Sequence, residues 1–298
     1  MTMVKLRYYL IETFEPTLLY GLLWGALGVA AAVAGGGSEI LFGLLAVGGV
    51  VSAQIGVNLL DDYFDYKVGI DKETTKTKFS GGSILVAEKK VSTRYLAYGG
   101  MAFSLLALLA GIRIILGIPS IIPIVIIGGI SVLFYARYMV KVPFLAEIIT
   151  ALNFTLIPVG AYAVTMGSFY GISHPLLAFI AVGMFVGNAI IVNGLPDRKP
   201  DKKHGRRSGV VLLRNNRSIG RYHLAWRFAT LFFLGLGVLL GYLPTLDIIA
   251  FAAFLLISLY VYNGIITYKN PASYEKYMGV NSLSFFALTF ILLIAYFI

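Results

Sequence analysis

The sequence predicts an all-α polytopic membrane protein, a bundle of nine transmembrane helices. Three observations lead to that class. The 298 residues are 58% hydrophobic and 13% charged, with a mean hydropathy of +0.84, whereas ordinary globular domains are about 45–50% apolar and about 25% charged. Apolar runs of membrane length recur along the whole chain. The basic residues fall on alternate loops between those runs.

Crossing the bilayer core takes about 20 mostly apolar residues. Runs of that order lie at roughly 17–35, 40–60, 95–112, 118–136, 144–166, 175–195, 220–241, 246–266 and 278–298. The first follows Lys5 and Arg7 and contains "AAAVAGG", as a secretory leader would, but eight further runs favour an uncleaved helix. The second ends in acidic residues, discussed below. Short polar breaks separate the third run from the fourth and the seventh from the eighth, so merging is an alternative at both places. The fifth carries Glu147 and Asn153, costly groups in lipid, for which helix–helix hydrogen bonding is the plain reading and proton acceptance from an acceptor the functional one. The seventh encloses Arg227, and Asn263 in the eighth reads as structural. Without cysteine there are no disulfides and no thiolate metal sites.

With nine spans, the N-terminus and the loops after spans two, four, six and eight share one side. All of the 24 Lys and Arg except Arg113 and Arg227 fall there, which makes that side cytoplasmic. The net charge of +10 is thus spread over membrane-side loops, unlike the soluble basic face of a nucleic-acid binder. No obligate protein partner is implied.

Two loops are long and acidic. The first opens "NLLDDYFDYKVGID", Asn58 to Asp71, and the second "NGLPDRKPDKKHGRRS", Asn193 to Ser208. Each starts with an Asn near a helix end, an Asp four residues on, and then a further Asp: Asn58, Asp62 and Asp65, then Asn193, Asp197 and Asp201. At about 100° per residue, Asn58, Asp62 and Asp65 share a helix face. Asp61 points to one side of that face, and Asp71 joins it only if the chain turns after Gly69. Asn193 and Asp197 also share a face, while Pro196 and Pro200 disrupt the turn that carries Asp201. Carboxylates with amide neighbours are hard oxygen donors suited to magnesium, which favours one or two carboxylates plus phosphate oxygens. Two facing clusters therefore predict a bound diphosphate. The plain alternative is a solvated helix end, which one cluster alone would not exclude.

Cations surround both motifs: Lys67, Lys72, Lys76 and Lys78 after the first, and Arg198, Lys199, Lys202, Lys203, Arg206 and Arg207 around the second. Topology accounts for most of them, yet a departing diphosphate needs cations as well as metal. "FSGGS", Phe79 to Ser83, is a glycine-rich turn that reads as a loop unless its amides meet phosphate. His204 reads as a solvated loop histidine.

These residues together resemble the UbiA superfamily of intramembrane prenyltransferases. The likeness covers residues 1–298 as one membrane domain. It rests on the paired Asn-x-x-x-Asp motifs with "YKVGID" and "FSGGS". The resemblance implies nine helices around a central cavity, with the two motifs facing each other at its cytoplasmic mouth and holding Mg2+ with an isoprenyl diphosphate. It assigns metal and diphosphate binding to Asn58, Asp62, Asp65, Asn193, Asp197 and Asp201, with Asp61 and Asp71 as outer members. Lys141 in "FYARYMVKVP" matches a cation beside the diphosphate, and Arg137, Tyr135 and Lys67 are further candidates. Glu15-Pro16 departs from the family, where a basic residue often precedes the proline.

The implied reaction is ionisation of an allylic diphosphate and capture of the cation by a small acceptor. The first loop looks nearest to the branch that prenylates dihydroxynaphthoate for menaquinone, with hydroxybenzoate and geranylgeranylglyceryl phosphate as alternative acceptors. Asp61 to Asp65 also fit the Asp-Asp-x-x-Asp pattern of soluble isoprenoid synthases, whose amphipathic helices the apolar runs exclude. A cation-coupled transporter is the reading from another class, though its acids would sit at midplane on broken helices. The Asp-Gly–Ala-Arg arrangement of head-group transferases is absent.

Overall fold

A computed structural model describes residues 3–15, 17–70, 73–75, 77–79, 83–243 and 247–296. Asp71, Lys72, Lys76, Pro16 and the centre of the "FSGGS" turn lie outside the described residues. All regular structure among the described residues is helical: α1 (Met3–Thr13), α2 (Leu18–Ala34), α3 (Ile40–Val68), α4 (Ile84–Ala87), α5 (Thr93–Gly117), α6 (Ile122–Phe134), α7 (Leu145–Met166), α8 (Ser173–Gly194), α9 (Arg198–Lys203), α10 (Gly209–Leu212), α11 (Asn216–Leu239), α12 (Asp247–Ile266) and α13 (Pro271–Ala295).

Each apolar run of the sequence falls on a helix, and the two candidate mergers do not occur. α5 stops at Gly117 before α6, and α11 stops at Leu239 ahead of Gly241, which turns at φ +72°. Helix starts follow local chemistry. Ser92, Asn215 and Asn270 accept hydrogen bonds from the backbone N–H groups of Tyr95, Ser218 and Ser273, and Pro271 occupies the first turn of α13, where its missing N–H costs nothing.

Among the described residues, six helices are long and apolar enough to cross a bilayer: α3, α5, α7, α8, α11 and α13. α1 and α2, bent by 51° at their junction, make a seventh if taken as one span. α2 alone has 17 residues, and the segments Pro119–Phe134 and Ala253–Ile266 are shorter than a full crossing.

α2 and α7 pack against each other in the middle of the bundle. α3 and α5 lie on one side; α8, α11, α12 and α13 continue on the other and close back on α2. The α2–α7 crossing requires glycine: a β-carbon at Gly28 would collide with the Pro158 carbonyl. The core on the α8–α13 side is aromatic, with Trp24, Phe179, Phe185 and Phe285 almost fully buried.

Arg227, the charge inside a span, is 1% exposed. Its guanidinium stacks over Phe185 and Phe254 at 4.0 and 4.7 Å from the ring centroids and donates to Asn281 Oδ1 on α13. Cation–π contact and one amide replace the missing counter-ion. Asn281→Leu removes the only hydrogen-bond partner found for this cation among the described residues. It is expected to cost about 2 kcal/mol, read as a lower melting temperature. The double variant Arg227→Met/Asn281→Leu is expected to recover most of that loss.

α3 positions the first acidic motif. Its 29 residues make a rod about 43 Å long, well beyond the roughly 30 Å hydrocarbon core. Starting from Ile40, the apolar part ends near Leu60, so the aspartates ride on the helix as it leaves the membrane. The helix stops at Gly69 (φ +94°), whose N–H bonds the Asp65 carbonyl at 2.9 Å. Only glycine adopts that left-handed stop without strain.

Candidate active site

α3 carries Asn58, Asp61, Asp62 and Asp65 in one unbroken helix. The second motif is divided. α8 ends at Gly194, Asp197 takes the residue before α9, and Asp201 lies in the first turn of α9, only 8% exposed. The chain through Pro196 and Pro200 thus restarts a helix, and the Asp201 N–H reaches the Asp197 carbonyl at 2.9 Å.

The two motifs meet at Arg206. Its Nη2 donates to Asp65 at 2.6 Å and lies 3.4 Å from Asp61, while its Nε lies 3.6 Å from Asp201. One guanidinium therefore joins α3 to α9. Burial opposes charge on Arg206, but Asp61, Asp65 and Asp201 together hold its pKa above the usual arginine range. Burial pushes Asp201 up to about 6, against the lowering effect of Arg206 and with a further push from Asp61. Asp61, an outer member by helical angle, is within the cluster. It stands one turn before Asp65, and both carboxylates reach the same arginine.

The segment after Arg206 is pinned from below. Arg207 N–H donates to Val140 O at 2.8 Å and Phe144 N–H to Arg207 O at 3.0 Å. The Gly209 N–H donates to Glu147 Oε1 at 2.5 Å. Glu147, fully buried on α7, thus anchors the loop that carries Arg206, a third role beside the helix–helix and proton-acceptor readings. Asn153 does make a helix–helix bond, accepting from Ser131 of α6 at 3.1 Å.

Beside the acids is a cavity of about 610 Å3, lined by α3, α5, α6 and α7 with Ile190 of α8. Its walls are almost wholly apolar, with Asn58, Gln54 and Tyr135 toward the acidic end. The cavity is set to one side of the bundle: the aromatic core fills the space toward α13, so α11 to α13 do not line it. Asn58 also donates to Thr17 Oγ1 at 3.2 Å, and Gln54 bonds the Thr17 carbonyl at 2.7 Å, tying α3 to the start of α2.

Among the described residues, none of the other candidate cations lines the cavity. Lys67 is exposed, 5.6 Å from the Tyr63 ring centroid, and Arg137 is exposed beside Tyr138. Lys141 is exposed and has no ion pair among the described residues. Arg198 is taken up by the carbonyls of Leu213 and Arg214, so it fastens the loop. Lys203 and His204 meet Glu73 at 2.6 and 3.5 Å, joining the two acidic loops. Sequence reasoning missed the bond from Ser83, at the end of the glycine-rich turn, to buried Glu12 of α1 at 2.7 Å. No pattern in the sequence pairs those two residues.

The donor set suits magnesium in kind. Aspartates and asparagines are hard oxygen ligands, and the Asn193 Oδ1 atom is buried with no hydrogen-bond partner among the described residues. Those residues hold no ready-made cage of three or more acidic or imidazole groups around one point. The acids are gathered on Arg206 instead.

Comparison with known proteins gives concordant results. No curated protein matches the sequence significantly. Among solved structures, a digeranylgeranylglyceryl phosphate synthase is similar with a TM-score of 0.66 at 16% identity, covering 99% of each chain. A UbiA homologue from Archaeoglobus fulgidus, bound to DMAPP and Mg2+, has a TM-score of 0.58 at 18% identity over 96% of this chain and 98% of its own. An apo UbiA homologue from Aeropyrum pernix K1 has a TM-score of 0.64 at 15% identity over 92% of this chain and 98% of its own. At these identities the likeness establishes the fold. The profile of the UbiA prenyltransferase family matches residues 22–297, nearly the whole chain and both acidic motifs. The chain belongs to the UbiA prenyltransferase family.

Proposed function

We propose that the protein transfers an isoprenyl group from an allylic polyprenyl diphosphate to a small acceptor, with Mg2+, releasing diphosphate. The observation that carries this reading is the meeting of the two acidic motifs at Arg206, beside a long apolar cavity. The cavity runs along α3 from Asn58 to Ala46 and along α7 from Thr150 to Val164, a depth of about 18–21 Å. That depth suits a tail of several isoprene units.

Asn58, Asp61, Asp62, Asp65, Asn193, Asp197 and Asp201 would hold the metal and diphosphate. Bound there, magnesium would neutralise the leaving diphosphate and so favour breaking of the allylic C–O bond. The chain's own residues do the rest. Arg206 places a guanidinium fork at the same point, a geometry suited to phosphate oxygens. The apolar walls exclude water that would quench an allylic cation. Tyr135, beside the polar end, presents a ring there. Lys67, Arg137 and Lys141, exposed outside the cavity, would add positive charge to draw the diphosphate in.

The surrounding reading is a single domain over residues 1–298 crossing the cell membrane nine times, with α2, α6 and α12 as the shorter crossings. The N-terminus and both acidic loops face the cytoplasm, because the basic residues gather on that side.

Two acceptors have specific support. The "DYFDYKVGID" and "FSGGS" segments resemble the branch acting on dihydroxynaphthoate, a quinone precursor. The likeness to a digeranylgeranylglyceryl phosphate synthase over 99% of both chains supports geranylgeranylglyceryl phosphate. Purified protein with Mg2+ and geranyl or geranylgeranyl diphosphate should release pyrophosphate with one acceptor of a panel: dihydroxynaphthoate, 4-hydroxybenzoate or geranylgeranylglyceryl phosphate. Release with none, or release that survives chelation, would count against the reading.

A further inference from the structure

We propose that Arg206 is the resident counter-cation of the acidic site, displaced from Asp61, Asp65 and Asp201 as the metal loads and thereby turned toward the incoming diphosphate. This rests on the magnesium–diphosphate reading given above, and deepens it by assigning Arg206 two successive partners.

Three features of the structure support it. First, the carboxylates that would ligate a divalent cation are already engaged: one guanidinium reaches Asp65, Asp61 and Asp201 within 3.6 Å. Among the described residues these acids form no metal cage by themselves. Metal and arginine therefore compete for the same oxygens, and loading needs the arginine to move. Second, the charges favour exchange. Three carboxylates around one guanidinium leave two formal negative charges, an excess suited to a divalent ion. With several unscreened carboxylates in a half-buried site, the empty protein without Arg206 would carry a costly like-charge cluster.

Third, the loop around Arg206 is held at its backbone on both sides, its own N–H by the Asp201 carbonyl at 2.9 Å, which leaves the side chain as the part that can move. Gly205 precedes it at φ +82°, with open space where a β-carbon would stand. Residues 207 to 209 are fixed by Val140, Phe144 and buried Glu147. A swing of the side chain alone frees the guanidinium without releasing the loop. Once freed, the same fork faces a site that now contains diphosphate oxygens, its best bidentate partner. Arg206 thus keeps the two motifs together when the site holds no metal and adds its charge to the leaving group when it does.

The test uses metal without donor or acceptor. Titrated with Mn2+ or Mg2+, purified Arg206→Gln protein should bind metal about tenfold more tightly than the wild type, because the competing cation is gone. Its metal-free melting temperature should fall, and metal should close the gap. A second readout needs no variant. Arginine-selective dicarbonyl labelling of wild type, mapped by mass spectrometry, should increase at Arg206 with Mg2+ alone and decrease again when inorganic pyrophosphate is added. Equal or weaker metal affinity in Arg206→Gln, or labelling of Arg206 that Mg2+ leaves unchanged, would overturn the proposal. Magnesium-dependent prenyl transfer with unchanged labelling would overturn displacement alone. A wild type and a variant that both bind no metal would overturn the metal reading with it.

Discussion

The Asp65→Asn variant is expected to lose roughly 10³-fold in prenyl transfer while remaining folded. Asp65 is the carboxylate most closely engaged by Arg206, at 2.6 Å, and it stands in the last turns of α3 beyond the apolar part of the helix. Asparagine keeps its size and one oxygen but removes a charge that would otherwise face metal. The fold should tolerate it: Arg206 retains Asp61 and Asp201, and the C-terminal stop at Gly69 uses the Asp65 backbone carbonyl, which the substitution leaves in place. Asp62→Ala and Asp197→Ala should abolish turnover in the same way. Steady-state pyrophosphate release, beside a thermal melt of each variant, separates lost chemistry from lost fold. Wild-type turnover in any of the three would remove that carboxylate from the site.

Filling the cavity is the second large effect. Gly129 of α6 lines it, and a β-carbon there would meet nothing within 4 Å. Gly129→Phe therefore adds bulk from an open position on the wall of the space assigned to the isoprenyl tail. For a geranylgeranyl donor, kcat/KM is expected to fall by about 10²-fold, while a geranyl donor should change only a few-fold. Equal losses for both donors would indicate damage near the acids. No loss for either would mean that the tail lies elsewhere.

How far the molecule was legible in its sequence can be seen from particular residues. Hydropathy located the long apolar helices but not α1, α4, α9 or α10, and the spacing of Asn58, Asp62 and Asp65 placed three donors on a shared face, because periodicity is a local property of one helix. The same local argument set Asp61 aside, since it could not see what stands opposite. Arg206, 141 residues from Asp65, provides that opposite partner. Nothing in "DRKPDKKHGRRS" distinguishes Arg206 from its five Lys and Arg neighbours. The choice is made by the restart of helix at Arg198 and by the pinning of residues 207–209, both of which are tertiary. Arg198 illustrates the converse: an apparent phosphate cation is taken up by backbone carbonyls. The cavity's offset toward α5 and α6 was also hidden. It depends on Trp24, Phe185 and Phe285 filling the other half, and composition counts rings without saying which of them converge.

Glu15 sharpens the one departure from the family pattern. It precedes Thr17, whose hydroxyl accepts from Asn58, so an acid stands near the first motif where relatives often have a cation. In the proposed site the positive charge for diphosphate would then come from the second loop, where Arg206 lies.

The central claim is that α3 and the α8–α9 segment form one diphosphate site. The most direct measurement is an experimental structure with Mg2+ and a non-ionisable thiolo analogue of geranylgeranyl diphosphate. The account predicts metal bound by Asp65 and by Asp197 or Asp201, diphosphate between the two motifs, and the tail in the cavity between α3 and α7. Diphosphate bound away from either motif, or metal held by only one of them, would contradict it.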